Sequence, residues 1–212
     1  MAFKIHTFFD GLVEHLKSRR DDVAQMAVMA AIEHWVQFEA AALLVRNRSQ
    51  FGISGGEPED PRWFVSAEHS KLDLWITDTV IGHVVEFKAV HNNKNLKTKA
   101  REIRNDLSKK TKPVGYEGKE PKRWAIAILV YARYARGHEG NYVCRGGRRN
   151  PTTRDKTWNQ LDECLADQDP WFEKAIPVRR AGRLQVVTSL DGAPYIERGQ
   201  GADVSLALIA AK

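Results

Sequence analysis

Three residues in the middle of apolar runs have side chains suited to phosphoester chemistry. In Lys71-Leu72-Asp73-Leu74-Trp75-Ile76, strand alternation puts Leu72, Leu74 and Ile76 on one face and Asp73 on the other. In Val84-Val85-Glu86-Phe87-Lys88-Ala89, Val85, Phe87 and Ala89 share a face while Glu86 and Lys88 point the opposite way. Charges in mid-strand are costly unless they are paired, solvated in a cleft or bound to a metal. A hard divalent cation such as Mg²⁺ takes oxygen ligands from one or two carboxylates and keeps several waters. Asp73 and Glu86 suit that role, with Mn²⁺ able to substitute. Lys88, on the same face, is placed to orient or activate a water and to offset negative charge that develops in a transition state. The competing reading is a structural cross-strand salt bridge between Asp73 and Lys88, with Glu86 on a solvated sheet face.

The elements that carry these residues follow from periodicity. Helices are expected over Thr7 to about Ser18 and Asp21 to about Val45, the latter capped by Asp21 or Asp22. A Gly- and Pro-bearing connection runs from Asn47 to Arg62. Three strands follow as a meander: Trp63 to Glu68, Lys71 to Thr77 and His83 to Val90. Leu96, Ala100, Ile103 and Leu107 then recur at helical spacing, giving an amphipathic helix from Asn95 to about Lys110 with a basic outer face. Trp124 to Tyr131 is apolar on both faces and reads as an interior strand parallel to its neighbour across that helix. Beyond Tyr134 come a Gly/Arg-rich loop from Arg136 to Arg154, a helix from about Asp155 to Ala166, and strands at Leu184 to Thr188 and Val204 to Ala210.

Asp73, twelve intervening residues and then Glu86-Phe87-Lys88 resemble the PD-(D/E)XK superfamily of restriction-endonuclease-like nucleases. The resemblance covers about residues 21–134, and the order α, β, β, β, α, β is similar to that family's core. Leu72 stands where the motif's name has proline. The resemblance implies an α/β fold, an α+β mixed sheet on the αβββαβ plan. Residues 135–212 form its helix-and-strand elaboration within a single domain spanning 1–212. It also implies a Mg²⁺-dependent endonuclease that hydrolyses DNA, with Asp73, Glu86 and Lys88 in the catalytic set and a helical glutamate completing the metal site. Glu39 falls among Val28, Ile32, Trp35 and Leu43 on a helical wheel, inside the expected buried stripe, whereas Glu33 lies at its flank near Gln37. Glu39 is therefore preferred as the helical acid, and its distance from the helix end also resembles the family arrangement better. Glu68 is a candidate accessory acid, and Asp78 reads as a turn residue.

Lys and Arg outnumber Asp and Glu by 33 to 27, for a net charge of +6. That balance favours a polyanionic partner, with phosphate contacts expected from Lys97, Arg101 and Arg104 on the helix or from Arg145, Arg148 and Arg149 in the glycine-rich loop. Arg179, Arg180 and Arg183 form a third basic group. Trp75 shares the Asp73 face and could stack on a base, while the other aromatics read as core. A 42% hydrophobic chain of 212 residues can bury a core unaided. Its longest apolar runs fall far short of the roughly 20 residues a membrane span needs, and the first residues lack a signal-peptide pattern, so a cytoplasmic location is expected. Cys144 and Cys164 are expected as reduced thiols. Other classes remain open: a non-catalytic DNA-binding or assembly subunit on a nuclease-like fold, or an RNA-directed nuclease. Without a helicase or ATPase motif, any motor or specificity partner is a separate protein, and a homodimer is compatible.

Overall fold

The computed structural model describes residues 3–29, 31–53, 64–69, 72–77, 80–91, 96–110, 112–113, 115–131, 154–166, 178–181, 185–190 and 202–211. Three helices open the chain: α1 (Ile5–Ser18), α2 (Arg20–Val28) and α3 (Ile32–Arg46). α1 buries Ile5, Phe8, Phe9, Leu12, Val13 and Leu16, the one-sided spacing that makes a 14-residue segment helical only when it has a core to face. α3 ends at Asn47, whose side-chain amide donates to the Leu43 carbonyl, and a tight turn over Arg48–Phe51 closes on Gly52 at φ 77°.

The segment expected as one helix from Asp21 to Val45 is broken at residues 29–31. The Ala31 amide donates to Met26, five residues back, so the helical ladder loses its phase there. No proline or glycine marks the break. It follows the packing, since α2 lies against strands at the far end of the sheet and α3 against its first three.

The strands are β1 (Phe64–His69), β2 (Leu72–Thr77), β3 (Gly82–His91), β4 (Lys122–Tyr131), β5 (Val178–Arg180), β6 (Gln185–Ser189) and β7 (Asp203–Ala211). They form one mixed sheet in the order β1-β2-β3-β4-β7-β5, with β6 also on β7. β1, β2 and β3 are the expected antiparallel meander. Helix α4 (Leu96–Ser108) crosses over from β3 to β4, which pair in parallel over His83 to His91 and Lys122 to Val130. β7 lies antiparallel to β4, and its other edge is shared by β5 and β6, so the centre of the sheet is screened from both sides. The three-residue β5 is a strand that the sequence pattern did not disclose.

Alternation along β3, β4 and β7 divides the interior in two. Val85, Phe87, Ile126, Ile128, Leu206 and Leu208 face α1 to α3. Ala125, Ala127, Leu129, Ala207 and Ile209 face α4 and a fifth helix, α5 (Arg154–Ala166). Small alanines on the second face let Ala100, Ile103 and Leu107 of α4 approach closely. No helix among the described residues is long and apolar enough to cross a membrane.

Candidate active site

Asp73 stands where two strands part. The β2–β3 ladder runs from Thr77↔Gly82 to Leu74↔Val85 and stops there. The next inward-facing amides of β3 therefore lack carbonyl partners on β2, and carboxylates take their place. The Phe87 amide donates to Asp73 Oδ2 at 2.7 Å, and the Ala89 amide donates to Glu33 Oε2 at 2.6 Å. Gln37, 1% exposed and one turn beyond Glu33 on α3, donates its side-chain amide to the Asp73 carbonyl at 2.7 Å. α3 thus holds both lips of the opening.

Glu86 and Lys88 rise from β3 on the α4 face, the face that alternation assigns to Asp73 on β2. Lys88 Nζ lies 3.9 Å from Asp73 Oδ2 and 3.3 Å from Asp106 Oδ2, and Asp106 also receives Lys109 at 2.5 Å. Glu86 is 2% exposed, and its Oε1 has no hydrogen-bond partner among the described residues. Burial, reinforced by the nearby charges of Asp73 and Asp106, pushes its carboxyl up to about 7 despite the opposing pull of Lys88 and Lys109. Burial works to lower the Lys88 ammonium, but Asp106, Asp73 and Glu33 outweigh it and hold the group above its ordinary range. Glu86 therefore gives up its proton much less readily than an ordinary glutamate, beside a lysine that holds its charge.

The helical acid that reaches this opening is Glu33, through the Ala89 amide, whereas Glu39, preferred from the sequence, is engaged elsewhere. Glu39 is bound by His15 of α1 at 2.6 Å and by Arg19 at the junction of α1 and α2, and these contacts outweigh burial to hold its carboxyl below the usual range. Trp35 and Leu43, which place Glu39 in the stripe expected from the sequence, are only partly buried. The buried stripe of α3 is Ile32, Val36, Gln37, Ala40 and Leu44, which leaves Glu39 on a different side from Glu33.

Arg104, expected on a basic outer face, is 6% exposed and buried with α4's apolar side. Lys97 is exposed and Arg101 half-buried, so these two remain surface candidates for phosphate. Arg145, Arg148 and Arg149 lie outside the described residues, as do Asp78, Lys94, Cys144 and Arg183. Glu68 falls on β1, and Arg179 and Arg180 on β5. Trp75 is core: it is 2% exposed, meets Tyr116 edge-on at 4.9 Å, and lies over Gly82, where an added Cβ would come within 2.0 Å of its ring. That close approach requires glycine at 82.

Three participants escaped sequence reasoning. Asp106 sits three residues after Ile103, at the flank of α4's buried stripe, and an acid in that position was a readable signal. Gln37 belongs to the buried stripe of α3 and gave the same kind of signal. Arg123 on β4 is partly buried, which lowers its guanidinium against the opposing pull of Glu86, Glu120 and Asp106, so it belongs to the same electrostatic cluster.

Among the described residues no three His, Cys, Asp or Glu side chains converge as a ready-made metal cluster. Mg²⁺ does not need one, since one or two carboxylates with water and substrate phosphate suffice. The buried, unpartnered Glu86 oxygen and the hard-oxygen donor set with Asp73 fit such an ion. No family model matches the chain, and neither a curated protein nor a solved structure does.

Proposed function

We propose that this protein is a metal-dependent nuclease that hydrolyses phosphodiester bonds, with DNA as substrate. One observation carries the reading: the β2–β3 ladder opens at Asp73, and the opening gathers Asp73, Glu33, Lys88 and a buried, unpartnered Glu86 oxygen. The opened hairpin supports the resemblance to the PD-(D/E)XK nucleases that the motif spacing suggests, on a mixed α/β sheet.

In this reading Asp73 and Glu86 hold a Mg²⁺ or Mn²⁺ ion, and Glu33 completes the acidic set from α3. A bound divalent ion supplies Lewis acidity toward a phosphoryl oxygen and lowers the pKa of a coordinated water. The chain's own residues supply the remainder. The Phe87 and Ala89 amides fix the Asp73 and Glu33 carboxylates in orientation, which limits reorganisation during reaction. Lys88 keeps its positive charge at neutral pH and faces the position where a scissile phosphate becomes more negative. Lys97 and Arg101 on α4 give a basic approach for the phosphate backbone.

The test is incubation of the purified full-length chain with supercoiled, linear and single-stranded DNA and with RNA, with and without Mg²⁺ or Mn²⁺. Metal-dependent nicking or linearisation of plasmid is expected. Binding without cleavage in either metal would favour a non-catalytic DNA-binding subunit, and cleavage of RNA alone would move the substrate class. Whether the chain acts alone, as a homodimer or with a separate motor or specificity protein would appear in the same assays as dependence on protein concentration or on added factors.

A further inference from the structure

Asp106 is an acid in an unfavourable place. It lies in the last turn of α4, where the helix carries partial negative charge and an anion is disfavoured. It is also 7% exposed, so it is desolvated as well. Lys109, the i+3 residue just past the helix, offsets part of that cost at 2.5 Å. Helix stability alone would be served better by a neutral residue. What Asp106 gains instead is Lys88, which crosses from the sheet to meet it at 3.3 Å, closer than the 3.9 Å to Asp73.

We infer that Asp106 is the positioning residue for Lys88: it tethers the ammonium toward α4 and so keeps it from collapsing onto the Asp73 carboxylate. The tether is rigid because Ala100, Ile103 and Leu107 lock α4 against Ala125, Ala127 and Leu129 of β4. It has a consequence for both acids. Asp73 Oδ2 is engaged by the Phe87 amide, and an ammonium drawn fully onto Asp73 would compete with a cation for the remaining lone pairs. Held by Asp106, Lys88 stays near the acids without closing them, and its charge is aimed by a helix rather than by a flexible side chain.

This inference rests on the nuclease reading for its catalytic consequence but not for its geometry, so two readouts are needed on the full-length protein. The first is the side-chain ammonium correlation of Lys88 in ¹⁵N-lysine-labelled protein without metal, assigned by its loss in Lys88→Met. Asp106→Asn should displace or abolish that signal, and Asp106→Glu, which keeps the charge, should retain it. The second is steady-state cleavage in Mg²⁺ alongside DNA binding in Ca²⁺. Asp106→Asn should lower kcat by about 10- to 100-fold with KM and Ca²⁺-supported affinity changed less than about threefold, and Asp106→Glu should recover part of kcat. If Asp106→Asn does not fold, Asp106→Glu still decides: a Lys88 signal that is retained but shifted from its wild-type position, together with a kcat below the wild type's, supports the tether, whereas a signal and a kcat both identical to the wild type's overturn it. An unmoved Lys88 signal in folded Asp106→Asn overturns the inference whether or not the wild type cleaves. A moved signal with a wild type that cleaves nothing overturns the nuclease reading and leaves the tether standing.

Discussion

The carboxylate of Asp73 accepts the amide of Phe87 at 2.7 Å, standing where a β2 carbonyl would stand if the ladder continued. The same side chain therefore ends a strand pairing and opens a site, and these two roles separate under substitution. Asp73→Asn retains an acceptor for Phe87, so it should melt close to the wild type while losing at least 100-fold in metal-dependent cleavage. Asp73→Ala should lose cleavage equally and also about 1–2 kcal/mol of stability, because a buried amide is left without a partner. Chemical denaturation and plasmid cleavage on the two variants check this. Wild-type cleavage by either would remove Asp73 from the metal set.

Glu86 makes stability depend on pH in a direction opposite to that of an ordinary salt-bridged acid. Its carboxyl is raised from 4.5 to about 7, chiefly by burial, so the folded state binds the proton more tightly than the unfolded state does. Its stabilising contribution is complete below about pH 4.5 and is lost as pH rises through about 7, on the order of 3 kcal/mol across that window. Glu86→Gln stays neutral throughout. In EDTA, the stability of the wild type relative to this variant should fall between pH 5 and pH 8. Added Mg²⁺ should stabilise the wild type progressively more over the same range, since it favours the ionised carboxylate. A wild-type-to-variant difference that stays flat with pH would contradict the buried, unpaired state of this acid.

Glu33 and Glu39 lie on one helix but face different partners, and exchanging each for glutamine should separate them. Glu33→Gln should reduce cleavage by at least about tenfold, with its bond to the Ala89 amide still possible through the amide oxygen. Glu39→Gln weakens the contacts to His15 and Arg19 at a partly exposed position, so a stability loss of no more than about 1 kcal/mol is expected, with cleavage unchanged. The measurement is the ratio of kcat/KM values at a temperature where both variants are fully folded. A larger loss in Glu39→Gln would reverse the assignment.

How much of this was legible depended on the range of the physics involved. Period-2 alternation is a local property, so Asp73, Glu86 and Lys88 were placed on their strands within a residue or two, and the crossover helix correctly made β4 parallel to β3. The helix break at residues 29–31 was not legible, because its cause is the different strands that α2 and α3 pack against, and neither proline nor glycine announces it. The choice between Glu33 and Glu39 was hard to read for a different reason: apolar residues lie all round α3, so the wheel marks no single stripe, and Trp35 and Leu43 are only partly buried. Asp106 was hidden for another reason. Its partner Lys88 lies 18 residues earlier on a different element, and only docking of α4 brings them together.

Lys88 decides between an enzyme and an inert salt-bridge network, and its surroundings sharpen the choice of variants. Lys88→Met keeps most of the stem's volume and removes the charge. Asp106 would still be paired with Lys109 at 2.5 Å, so a complete loss of fold is not expected, although Asp73 and Asp106 both lose a counter-charge and the melting temperature should drop by several degrees. Stability loss alone therefore cannot identify the role. The informative quantity is kcat at a temperature well below the melting range, with DNA affinity measured in Ca²⁺. If the ammonium offsets charge that develops during hydrolysis, folded Lys88→Met should lose at least 100-fold in kcat while Ca²⁺-supported binding changes less than about threefold. Lys88→Arg, which restores charge and pairing but displaces the donor atoms, should regain stability and little of the rate. A purely structural lysine predicts the reverse: Lys88→Arg recovers stability and cleavage together, and Lys88→Met loses activity only in proportion to the unfolded fraction. Wild-type cleavage by folded Lys88→Met protein would take Lys88 out of the reaction.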